Sequence, residues 1–199
     1  MQSLSEAWNQ VENWLTAEAP LVRSALRPGA TSAEIEEAEE GMGLTIPHQL
    51  ALLLRLHDGA EETEAGRFLQ TKRLLPLREI VSMHRTMCSL LDSDDLVGTW
   101  WHPQWIPFAA NHDGWSRLCL DVRPGALSGT VNTYFMESGG GGGHLWPSLT
   151  AYLEELAVSL QRGTPMVHHV PRVTDEGLLH WDHRPPAVRP QFARQRRAW

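Results

Sequence analysis

Ten histidines in a chain of 199 residues are the first candidates for chemistry. His57-Asp58 and His112-Asp113 each set an imidazole beside a carboxylate, the pairing that general-base catalysis uses. Adjacent side chains diverge, however, and each pair stands at a turn, where an Asp bonds its own backbone. His168, His169, His180 and His183, with Asp182, could meet across a C-terminal hairpin and hold a metal. In a strand His168 and His169 point to opposite faces, which breaks up the set. The chain has no G-x-S-x-G, no H-E-x-x-H and no signature of a Cys nucleophile. Cys88 and Cys119 cannot by themselves make a disulfide framework or a structural zinc site, and read as reduced core thiols. Gly139–Gly143 lacks the Gly-Lys-Ser/Thr ending of a phosphate loop and reads as a mobile loop. The expectation is a protein without catalytic residues, metal or cofactor; a hydrolase or metal protein using the histidines is the weakest reading.

Recognition is the chemistry that remains. The net charge is −7, but it is unevenly spread. Five arginines (184, 189, 194, 196 and 197) and no acid lie between Arg184 and Trp199, so up to His183 24 acids oppose 12 bases, a balance of −12. Residues 1–64 hold twelve acids and three bases. Such a surface repels nucleic acid and attracts basic partners, or simply keeps the protein in solution. Glu61, Glu62 and Glu64 follow the Asp58-Gly59 helix stop, which predicts an exposed acidic loop. Asp92, Asp94 and Asp95 precede Trp100 and Trp101. Adjacent rings in an extended chain face opposite ways, so one is expected in the core and the other near the surface. Charge for steering beside an aromatic anchor is the arrangement of an occluding protein binder. Glu36, Glu37 and Glu40, on a helix face, read as solubilising.

The elements that must position these residues follow from periodicity and punctuation. The length suits one domain, or one domain with extensions, and 42% hydrophobic residues exclude a wholly disordered chain. No apolar run approaches the roughly 18 residues of a membrane span, and MQSLSEAWNQ lacks a leader pattern, so a cytoplasmic protein is expected. Helices are predicted over 4–17 (capping box Ser3/Glu6), from Thr31 (capping box Thr31/Glu34) to Gly41–Gly43, from Pro47 to before Gly59, and over 78–91 with Ile80, Met83, Met87 and Leu90 inward. Ser148 caps a last helix that Gly163 stops. Strands are predicted over 67–70, 74–77, 105–109, 117–122 and 130–135, and a hairpin over 166–173 and 178–182. Helices first, strands next and a helix after them argue for an α+β fold with a mainly antiparallel sheet. The division is a domain over 1–165, a hairpin extension over 166–183, and a basic, disordered tail over 184–199.

Four blocks then resemble the SUKH superfamily, which includes the fungal Smi/Knr cell-wall-assembly regulators and many bacterial toxin-immunity proteins. They are PGATSAEIEEAEEGMGLTIP, LLRLHDG, WHPQWIPFAANHDGWSRLCLDVRPG followed by SGTV, and WPSLTAYLEELAVSLQRG. The third is the most specific: Trp105, Ile106, Pro107 and Phe108 open a strand, Asp113 and Gly114 make the turn, and Asp121 closes the next strand. Trp146 opens the fourth. The resemblance implies an α+β domain that binds other proteins. Its bacterial members are implied to neutralise toxins, often nucleases, and its fungal members to act as signalling hubs. Where the family commonly has a glycine soon after the Asp-Gly turn, this chain has Trp115-Ser116. The expectation is an immunity protein that occludes a basic nuclease-type toxin, with a cytosolic scaffold or signalling regulator as the alternative. The partner is a protein rather than nucleic acid or membrane.

Overall fold

The computed structural model describes residues 2–91, 96–137 and 140–183. Asp92, Asp94, Asp95, Gly139 and the basic tail lie outside the described residues. The chain is α+β: the described residues form six helices, a five-stranded antiparallel sheet and a two-stranded sheet.

Helix α1 (Leu4–Glu18) starts at a full capping box, with Ser3 Oγ accepting from the Glu6 amide and the Glu6 carboxylate accepting from the Ser3 amide. Its stripe of Leu4, Trp8, Val11 and Leu15 is buried. A short helix α2 (Pro20–Ser24) follows, which periodicity cannot signal in five residues. Helix α3 (Ser32–Met42) starts at the Thr31/Glu34 box and stops at Gly43, in the left-handed region at φ 67°. Helix α4 (His48–Leu56) has Pro47 as its N-cap rather than in its first turn. The Pro-Gly turn and the close of α4 are locked together: the Asp58 amide donates to Pro28 O, and the Ala30 amide to Leu54 O. A Cβ on Gly29 would stand 1.8 Å from Arg55 O, so only glycine fits there.

Strand β1 (Arg73–Leu74) is shorter than the two strands predicted around it, because residues 69–72 turn back on themselves. Helix α5 (Leu77–Ser89) buries Ile80 and Met87. Leu90, predicted inward, is exposed, since it caps the helix instead of continuing the stripe. Strands β2 (Trp105–Ala110), β3 (Ser116–Asp121) and β4 (Val131–Phe135) form the antiparallel ladder expected from the sequence. The fifth strand corrects the mobile-loop expectation: β5 (Gly140–Trp146) takes in Gly140–Gly143 and pairs with β4, with register shifts at Val131/Asn132 and Thr133/Tyr134. Glycines have no strand propensity of their own; the backbone groups of β4 supply the partners, and the bulges absorb the mismatch.

Helix α6 (Leu149–Arg162) runs from the Ser148 cap to Gly163. With α1 and α4 it covers one face of the sheet, where Ile106, Phe108, Leu118, Leu120 and Val131 meet Tyr152, Leu153 and Leu156 in the main core. The other face carries a second cluster of Trp101, Trp105, Cys119 and Tyr134 with Met87 from α5. Cover on both faces is why WIPFAA is buried throughout instead of alternating. The hairpin of β6 (His169–Val173) and β7 (Leu179–His183) sends Leu179 and Trp181, with Met166 before it, into the main core. Trp181 Nε1 donates to Phe68 O at 2.9 Å.

Candidate functional site

Three loops meet at one end of the five-stranded sheet: 61–67, the β2–β3 turn at 111–115, and the turn after β4. The β2–β3 turn is built by its own side chains. Asn111 Oδ1 accepts from the Ser116 amide at 2.9 Å and Asp113 Oδ1 from the Trp115 amide at 3.1 Å, while Gly114 takes φ 72°. The Met136 amide donates to Trp115 O at 2.9 Å, which ties the third loop to the second. His112 Nδ1 stands 3.6 Å from Glu62 Oε1, which ties the first to the second.

The acidic loop is exposed, as predicted. Glu61 lies 3.2 Å from Arg27, Glu62 3.9 Å from Arg73, and Glu64 3.4 Å from His180 on β7. The three carboxylates are exposed while Arg73 is buried and also pairs with Glu79; the pairs whose two partners both reach water are worth roughly 0–1 kcal/mol each, so the loop's charge stays available at the surface. Of the tryptophan pair, Trp101 is fully buried and stacks edge-on against Trp105 and Tyr134 at 5.7 and 5.3 Å. Trp100 is half-buried against Tyr134. The pair thus divides between core and near-surface, but Trp101 has no face left for a partner. Among the described residues the exposed tryptophan is Trp115, at 47% exposure, with Phe135 at 43% on the adjoining strand. Charge and an exposed aromatic ring do share one surface, but the ring is that of Trp115, whose turn is linked through His112 to Glu62.

Of the motif residues, Asp113 and Gly114 make the turn at this end, while Trp105, Asp121 and Trp146 stand at the opposite end of the sheet, where Trp105 pairs with Asp121 and Val131 with Trp146. Asp121 is fully buried; Trp105 Nε1 donates to its Oδ2 at 3.1 Å and Arg123 Nη2 at 2.6 Å. Arg117 lies 5.1 Å above the Tyr134 ring, and burial pushes the Tyr134 hydroxyl up to about 12. Burial also raises the Cys119 thiol, which favours the neutral form. Trp146 Nε1 donates to Glu155 at 2.6 Å. Ile106 and Phe108 point into the main core. At Pro107, which has no amide hydrogen to donate, β2 is bulged against β3.

The histidine-carboxylate pairs have other partners. His57 bonds Arg27 O and Glu12, and Asp58 Oδ1 accepts from the Leu77 amide at 2.7 Å, capping α5. His169 and His183 stack edge to face at 5.6 Å, His168 lies 6.4 Å from His183, and His180 faces Glu64. Among the described residues no three His, Cys, Asp or Glu side chains converge as a metal site. No described helix is long and apolar enough to cross a membrane.

Comparison with known proteins completes the description of the site. The model of the family described as SMI1 / KNR4 family (SUKH-1) matches residues 29–155, which begin at Gly29 of the Pro-Gly turn and include the acidic loop and strands β1 to β5. A KNR4/SMI1 homolog of Kluyveromyces lactis is 33% identical over 84 residues, 40% of this chain and 16% of that protein. A KNR4/SMI1 homolog of Eremothecium gossypii is 31% identical over 84 residues, 40% of this chain and 13% of that protein. The chain thus matches a small part of the length of either relative.

Proposed function

We propose that this chain, which belongs to the SMI1/KNR4 family (SUKH-1), is a non-enzymatic binding domain whose acidic sheet end engages a basic protein. The favoured form is a cytoplasmic bacterial immunity protein that covers the active site of a nuclease-type toxin. One observation carries it: Glu61, Glu62 and Glu64 lie at the same end of the sheet as the exposed Trp115, joined through the Glu62–His112 contact. Carboxylates attract a cationic surface over a Debye length, and an exposed indole gives the short-range area that holds it. The names of the fungal relatives favour a second form, a regulator of the cell-wall-assembly type with no toxin.

Capture from the native cell with the intact chain tests the reading. A basic protein is expected, retained by the parent and lost on combining Trp115→Ser with Glu61→Gln, Glu62→Gln and Glu64→Gln. Inhibition of a captured nuclease at equimolar ratio selects the immunity form; a captured protein without such activity selects the regulator. Equal retention by parent and variant removes this surface from the function.

A further inference from the structure

Lys72 is the only lysine in the chain. It follows a tight turn in which Gln70 and Thr71, neither of them glycine, hold φ values of 51° and 74°. Reciprocal backbone bonds between Leu69 and Lys72, and a bond from Gln70 Nε2 to Met166 O at 2.9 Å, keep the turn in place. Residues held in that region mark places where the surroundings impose a geometry. The turn delivers the Lys72 side chain into the protein, where it is 7% exposed. Its ammonium has one long bond, to Gln70 O at 3.4 Å, and no carboxylate of the described residues pairs with it. Burial pushes its pKa down to about 8.

Lys72 lines a groove of about 250 Å³ between the sheet and the start of the β6–β7 hairpin, with apolar walls from Leu118, Phe135, Trp146 and Val167 and polar edges from Gln70, Thr133 and His168. His169 also lines it, and burial, together with the Lys72 charge, lowers that imidazole's pKa, so it is neutral at pH 7. Among the described residues, the groove therefore offers one positive charge with no paired carboxylate, beside mainly apolar walls. A single carboxylate would balance it; a phosphate dianion would exchange one buried excess charge for another. The volume is below the roughly 300–1,000 Å³ of drug-sized pockets, which limits the ligand to a small molecule.

We propose that this groove binds a small organic monocarboxylate with an apolar or aromatic body, its carboxylate held by the Lys72 ammonium. The site is separate from the acidic surface and does not depend on the partner found there.

Because Lys72 is the only lysine, isotope-labelled lysine gives a single set of side-chain NMR signals from the full chain. The probes are 3-phenylpropionate, its neutral amide and phenyl phosphate. The acid is expected to move the Lys72 signals to saturation and to raise their titration midpoint from about 8 by at least about one unit, since the bound carboxylate favours the charged amine. The titratable groups around it are His168, His169 and His183. The amide and the phosphate are expected to bind at least tenfold more weakly, and Lys72→Met to lose acid binding without a fall in Tm. Equal binding of acid and amide, or a Lys72 midpoint near 10.4, overturns the proposal. So does phosphate binding as tight as the acid, or unchanged acid binding by Lys72→Met. The acid and amide comparison needs no variant, so misfolding of Lys72→Met would leave the test intact.

Discussion

Asp121 is a buried carboxylate satisfied by two neighbours, the Trp105 indole and the Arg123 guanidinium. Burial alone would raise its pKa, but the hydrogen bonds from Arg123 and Trp105 and the Arg123 charge outweigh that and hold it below the ordinary value. A depressed carboxylate stabilises the fold above its unfolded pKa of about 3.9, and that stability is lost as pH falls through the folded value. Asp121→Asn is expected to cost about 2–3 kcal/mol at neutral pH, less than the ~3–5 kcal/mol of a fully buried pair because Arg123 reaches water. Urea unfolding at several pH values should also show a shallower acid limb in the variant; unchanged stability and slope would mean that this pair contributes nothing net. The sequence marks Asp121 through its motif. It does not mark Trp115 as the exposed indole over Trp101, since both are tryptophans in polar surroundings and only their cover differs.

Element boundaries were legible wherever a local rule operates. The boxes at Ser3/Glu6 and Thr31/Glu34, the Ser148 cap and the glycines at 43 and 163 all act within one helical turn. The glycine-rich strand β5 was not legible, because its stability comes from β4 and not from its own side chains. The C-terminal hairpin was visible as a pair of strands, but its attachment was not. Met166, Leu179 and Trp181 belong to the main core, and Trp181 reaches back to Phe68 O. Trp181→Ala should therefore cost about 3–5 kcal/mol, like other buried large-to-small changes, and lower the single global transition. Loss of protection confined to residues 166–183 in hydrogen exchange, with the global Tm unchanged, would show an appended hairpin that folds by itself.

Across the whole molecule, acidity sets how a partner approaches. If the acidic sheet end receives a basic protein, association should be fast at low salt and slow as salt screens the charge. Neutralising Glu61, Glu62 and Glu64 should cut the association rate at least tenfold and flatten its salt dependence. The same change at Glu36, Glu37 and Glu40, exposed on α3, should do less because those residues lie away from Trp115. Stopped-flow measurement at several ionic strengths decides it, and equal small effects from both sets would end the steering account. The sequence by itself determined the helix stripes and their caps, the strand ladder of the Trp105–Asp121 block, the sign of the charge and the family resemblance, since each is carried by residue type at short spacing. The tertiary structure alone decided which of these tryptophans meets solvent, that Gly140–Gly143 joins a strand, and that the single lysine is buried without a paired carboxylate among the described residues. Burial and pairing are made by segments far apart in the chain, and no local pattern records what will cover a residue.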